Sequence, residues 1–141
     1  MTIEQEEPEY FSAKDLVRSF FGSLFFGFAF IFSKALIDLS ATLDKIHIVL
    51  ILLSTFLLLT FEIYFIGYQR VSDRKRRPFW EFWLKRFATF YVITVLVSLY
   101  LVYIYNFQVY LTTYMEIIKL VVAVSLPCAT GAAIADLLKK Y

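Results

Sequence analysis

Histidine and cysteine occur once each in these 141 residues, and charged side chains make up only 18% of them. The single cysteine, Cys128, excludes an intrachain disulfide and leaves the redox compartment undefined. His47 has no partner at metal-ligand spacing, so neither a metal nor another cofactor is expected. The phosphate loop, the HExxH pair and the nucleophile elbow are all missing. Cys128 also lacks a His or Lys close in sequence that would activate it. No catalytic residue is assigned on these grounds, and an enzyme is the least supported class.

The shortage of charge has a second consequence. Hydrophobic residues make up 60% of the chain and aromatic residues 20%, with a mean hydropathy of +0.69. A soluble domain of this length cannot bury so much apolar surface. Crossing a bilayer takes roughly 20 apolar residues at about 1.5 Å each. Four stretches qualify: 16–37, 46–68, 82–105 and 115–138. The expected fold is all-α, an integral membrane protein with a bundle of four transmembrane helices and one membrane domain over 1–141. Outside the helices lie an acidic tail, 1–13, and a basic loop, 69–81. The opening MTIEQEEPEYF has neither the basic region nor the cleavage site of a signal peptide, so it is expected to be retained as a short solvated tail.

Cations are missing from two of the three connections, apart from Lys45. They gather instead at Arg70, Arg74, Lys75, Arg76, Arg77, Lys85 and Arg86, with Lys14 and Arg18 before the first span and Lys139 and Lys140 after the last. Positive residues are retained on the cytoplasmic side during insertion. A multi-pass protein of the cell membrane follows, with the basic loop and both termini cytoplasmic. Trp80 and Trp83 flank that loop, while Tyr100, Tyr103, Tyr105, Tyr110 and Tyr114 crowd the other end, as two aromatic belts would. Between two spans, RVSDRKRR reads as a topological signal and not as a nucleic-acid patch. The expected partners are the lipid bilayer and its anionic headgroups at Arg74, Lys75, Arg76 and Arg77.

In lipid, helices associate through small residues that allow close approach. Ser19, Ser23 and Gly27 recur every four residues in the first span, with Ala35 eight further on. The last span pairs Cys128 with Ala132, Ala129 with Ala133, and Gly131 with Ala135 at the same spacing. Spans one and four are the expected close partners, within one subunit or between subunits. Four helices enclose little space by themselves, so a homo-oligomer through these faces is expected.

The stretch SLPCATGAA interrupts the last span. Pro127 cannot donate a backbone hydrogen bond and clashes with the Ala123 carbonyl, which Ser125 or Thr130 could then serve; Gly131 softens the same region. The interruption is either a packing kink or a midplane binding site of the transporter kind. Glu62 lies inside the second span and must be paired, protonated or facing a wet interior. Asp136 approaches the same end from the fourth span, and Arg18 is a candidate cation beside both. The leading reading is an oligomeric channel or transporter for a small ion or proton, with a path through Glu62, Asp136, Ser125, Pro127, Thr130 and Gly131. The alternative is a non-conducting membrane scaffold or accessory subunit.

The segments LVRSFFGSLFFG, TFEIYFIGYQR and SLPCATGAAIADLL resemble a family of uncharacterised bacterial and archaeal integral membrane proteins, a domain of unknown function. The matching positions are Arg18, Gly22, Leu24, Phe26 and Gly27, then Glu62, then Pro127, Gly131 and Ala132. The resemblance implies a membrane protein that groups these positions together, and it brings no activity with it.

Overall fold

Inside hydrocarbon no water can bond a peptide group, so apolar runs of this length must satisfy their backbone as helices. The computed structural model of the protein describes residues 12–67 and 78–138. They form five helices: α1 (Ala13–Ile31), α2 (Lys34–Thr42), α3 (Lys45–Glu62), α4 (Phe79–Ile104) and α5 (Tyr114–Leu137). The chain is an all-α membrane bundle. Each of α3, α4 and α5 is long and apolar enough to span a membrane, and α1 with α2 makes a fourth only as a pair bent by 85°.

That bend corrects the first expected span. Residues 16–37 are not one helix: α1 stops at Ile31, and Ser33 takes up an extended backbone (φ −71°, ψ 108°) at the start of α2. Serine favours such a helix-opening position. Phe32 packs edge-on against Tyr105 at a centroid distance of 4.7 Å, which holds the end of α1 against the end of α4. The chain then turns aside, burying Ser40 and packing Leu36 and Ile37 on the core. Ala35, expected on the small-residue stripe, is exposed on α2.

The remaining bounds move less. The second span, expected over 46–68, is α3 followed by a π-helical turn, Ile63–Gly67. The third and fourth, expected over 82–105 and 115–138, are α4 and α5. Of the expected loop 69–81, residues 79–81 already belong to α4. The acidic tail up to residue 11 and the headgroup site at Arg74, Lys75, Arg76 and Arg77 lie outside the described residues.

Helix α5 is the axis of the bundle, packed against α1, α2, α3 and α4. Its small face meets that of α1 at backbone contact. A Cβ added to Gly131 would overlap the Gly22 carbonyl oxygen, and one added to Gly22 would overlap that of Gly131. One turn on, a Cβ at Gly27 would sit 2.5 Å from Cys128 Sγ and 2.7 Å from Leu101 Cδ1. The Ser23 hydroxyl donates to the Cys128 carbonyl at 2.9 Å. Ser19, Ser23 and Gly27 on α1, and Ala129, Ala132 and Ala133 on α5, are all buried within the chain.

Away from the glycines, large side chains fill the gaps. Ile31, Val97, Leu101, Leu120 and Val124 form one cluster towards the α4–α5 turn. Leu59, Ile63, Trp83, Phe90 and Ala129 form a second at the opposite end. Trp80 is exposed at the surface as a belt residue should be. Trp83 is not: it is buried, donates from Nε1 to Thr60 Oγ1 at 3.2 Å and stacks on Phe87. The tyrosines at the far end are all exposed.

The glycine contact yields a direct test. Gly131→Ala should destabilise the protein by ~2 kcal/mol or more, since the added methyl meets backbone and not a mobile side-chain tip. Phe25→Leu, on the exposed side of α1, should stay within about 0.5 kcal/mol. Denaturant titration of the protein in mild detergent, followed by circular dichroism, measures both.

Candidate functional site

Three ionisable side chains from three helices meet at the end of the bundle where α1 and α4 begin and α3 and α5 finish. Glu62 is the last residue of α3, Asp136 lies in the last turn of α5, and Arg86 sits two turns into α4. Glu62 and Asp136 are each 7% exposed and Arg86 is 6% exposed. Arg86 Nη1 approaches Asp136 Oδ2 at 3.3 Å, and the guanidinium carbon lies 4.6 Å from the centre of the Phe82 ring. The Glu62 carboxyl lies close to the Asp136 carboxyl and in the field of Arg86. Both Glu62 oxygens are buried, and neither accepts a hydrogen bond from an amide, hydroxyl or guanidinium among the described residues.

Local sequence explains each placement. Arg86 is four residues before Phe90 and three after Trp83, both buried, so the helical period turns it inward with them. Glu62 stands where α3 widens into the π-helical turn, a local irregularity that often accompanies functional positions. The charge count matters most. Among the described residues two carboxyls face one guanidinium, so these three groups, all ionised, carry one uncompensated negative charge. In a low-dielectric setting such a charge is costly, and a proton or a bound cation is what neutralises it.

Of the expected path, the structure brings together Glu62 and Asp136. It does not bring the others to them. Pro127 lies inside an unbroken α5, nine residues and so ~14 Å along the axis from Asp136. The helix break of this bundle is in the first span. Ser125 Oγ donates to the Val122 carbonyl at 2.6 Å, and Thr130 Oγ1 donates to the Leu126 carbonyl at 2.9 Å. Both hydroxyls thus serve their own helix, and neither is given to the Ala123 carbonyl that the proline ring faces. Gly131 is committed to the contact with Gly22.

The cation beside the acids also differs from expectation. Arg18 does not reach them. It lies 3.7 Å from Asp15, one turn earlier on its own helix, and Asp15 accepts from the Ser12 amide at 2.9 Å. Arg86 takes the role instead. Sequence reasoning groups it with the loop cations, although its four-residue spacing to Phe90, Thr94 and Ser98, all buried, is the available signal.

Beyond the cluster the seam between α1, α4 and α5 stays polar to mid-bundle. Ser19 and Thr94 are fully buried, and their hydroxyl oxygens have no hydrogen-bond partner among the described residues. Ser98 Oγ bonds the Thr94 carbonyl at 2.8 Å, and its side chain meets the Cys128 thiol. Past Cys128 the seam is closed by Ile31, Val97, Leu101, Leu120 and Val124, each at most 1% exposed.

Removing the guanidinium should leave two carboxyls facing each other in the bundle. Arg86→Leu is expected to cost ~3–5 kcal/mol of stability, and Arg86→Leu with Asp136→Leu considerably less. A double-mutant cycle by denaturant titration in detergent reads the coupling. Comparison with known proteins adds one finding. No curated protein and no solved structure matches the chain. Residues 2–138 match the model of the family described as "Putative integral membrane protein (DUF2391)", and the chain belongs to that family.

Proposed function

We propose that the protein moves a proton or a small monovalent cation across the cell membrane, with Glu62 as the group that takes it up. The observation that carries this reading is the Glu62–Arg86–Asp136 cluster, buried and, among the described residues, one positive charge short of neutral. Intramembrane acids of this kind are expensive and mark ion or proton pathways. On the positive-inside pattern the basic loop and both termini are cytoplasmic, so the cluster lies in the cytoplasmic half of the bundle. The polar seam above it ends at a packed apolar cluster. Passage therefore needs a rearrangement of α1, α4 and α5, which favours a transporter over an open channel. No catalytic step is part of this reading.

Homo-oligomerisation belongs to the proposal on a different surface from the one expected. Ser19, Ser23, Gly27, Ala129, Ala132 and Ala133 are taken up inside the chain. Exposed rings such as Phe61 and Phe65 remain for a second copy. The loop cations Arg74, Lys75, Arg76 and Arg77 would rest on anionic headgroups. A second reading has its own support: the Arg86–Asp136 pair joins α4 to α5, as a scaffold or accessory subunit would require. In that case the cluster serves packing alone.

Flux into liposomes holding the purified protein separates the two. Under the proposal, wild-type protein conducts protons or a monovalent cation above empty liposomes, and Glu62→Gln lowers that flux at least ~10-fold, the scale on which a positioned proton-transfer group acts, while its unfolding midpoint in detergent stays close to wild type. No flux across a panel of protons and alkali cations would sink it. So would a Glu62→Gln variant that conducts normally.

A further inference from the structure

A groove lies at the same end of the bundle, between α1 and α5, and the transport reading gives it no role. It has a volume of about 780 Å³ and runs between the start of α1 and the end of α5. Lys14 and Arg18 stand at its mouth, and Val17, Phe21, Ala135 and Leu138 line its walls. Gly22, also in its lining, is eight residues along α1 from Lys14, so the groove reaches ~12 Å down from the two cations. Polar at the mouth and apolar below, it has the division of a phospholipid.

The cations are set in place. Asp15 is 1% exposed and accepts from the Ser12 amide at 2.9 Å and from the Ser12 hydroxyl at 3.2 Å. That fixed carboxylate lies 3.7 Å from Arg18 Nη1, too far for a hydrogen bond. Nη1 is buried and has no hydrogen-bond partner among the described residues. Lys14 is exposed beside it. Asp15 can balance only one of the two cations, so among the described residues the mouth keeps a net positive charge, and the Arg18 side chain stays 40% exposed. Arginine with lysine at a membrane surface is the usual recognition chemistry for a phosphate headgroup. The volume falls within the roughly 300–1,000 Å³ of ligand sites.

We propose that the groove between α1 and α5 binds one anionic phospholipid of the cytoplasmic leaflet. Its phosphate lies against Lys14 and Arg18, and one acyl chain lies over Val17 and Phe21 towards Gly22. The occupant is independent of whether the protein transports anything. By holding the start of α1 to the end of α5, it also bridges the two helices of the glycine contact.

Native mass spectrometry of the full chain in mild detergent tests this, with phosphatidylglycerol, phosphatidylcholine and inorganic phosphate added in separate titrations. One phosphatidylglycerol should be retained in preference to phosphatidylcholine. Lys14→Ser with Arg18→Gln should weaken it about 30-fold, from the worth of two basic side chains at an anionic surface. Loss of Arg18 also leaves Asp15 without its cation, so two milder variants accompany it. Lys14→Ser alone should weaken binding about 5-fold, and Val17→Trp, at an exposed wall position, should block it without touching a charge. Neutralising Arg74, Lys75, Arg76 and Arg77 should leave the retained lipid in place. Equal retention of both lipids, or full retention in the Lys14 and Val17 variants, overturns the proposal. Phosphate binding as tightly as the lipid would mean a free-anion site and overturns it too. A gain of about 10-fold on deleting residues 1–11 would make the acidic tail the occupant, and would overturn it equally.

Discussion

Everything in this bundle hangs on the backbone contact between α1 and α5 at Gly22 and Gly131. Within a bilayer, apolar side chains gain nothing by leaving lipid for protein, so attraction between helices comes from close packing and from polar bonds. Two glycines facing each other let the helices approach until backbone touches backbone. The Ser23 hydroxyl can then reach the Cys128 carbonyl on the other helix. With α1 seated there, α5 becomes the axis against which α2, α3 and α4 are packed. Helices α3 and α4 keep a greater distance and meet through large rings such as Phe56, Trp83 and Phe87.

The acid cluster depends on that geometry. Glu62, Arg86 and Asp136 belong to three helices, and only the axial position of α5 lets its last turn meet both α3 and α4. Pairing Arg86 with Asp136 offsets part of the cost of burying either. Glu62 has no such cation of its own among the described residues, which is why it stands out among the buried polar groups. The basic groove beside α1 is built differently: Asp15 and Arg18 are neighbours on one helix, with Asp15 buried and Arg18 40% exposed. Two sets of charges at one end of the bundle are therefore unlike, one shared among three helices and one held on a single helix.

Composition and spacing made much of the architecture legible. An apolar run of about 20 residues has one solution in a bilayer, so the spans at α3, α4 and α5 could be read within a few residues. Four-residue recurrence of Ser19, Ser23 and Gly27, and of the small residues after Cys128, pointed correctly to α1 and α5 as close neighbours. One break was not legible in the sequence. Pro127 looks disruptive in sequence, yet α5 runs through it from Tyr114 to Leu137. Ser33 looks harmless, yet the first span turns by 85° around it. Whether a polar residue ends a helix depends on what packs beyond it.

By itself the sequence determined that the protein lies in the membrane, that its backbone is helical, which faces are small enough to touch and that Glu62 and Asp136 sit at one end. These follow from period, length and burial cost, which are local properties of the chain. Tertiary structure alone decided that Arg86 and not Arg18 stands beside the acids, that Trp83 packs inward, and that the small faces meet within the chain. A side chain that is charged and long fits a loop, a surface or a buried pair equally well by sequence. The difference is the orientation of one helix around its axis relative to its neighbours, and no residue encodes that except through the contacts all of them make together.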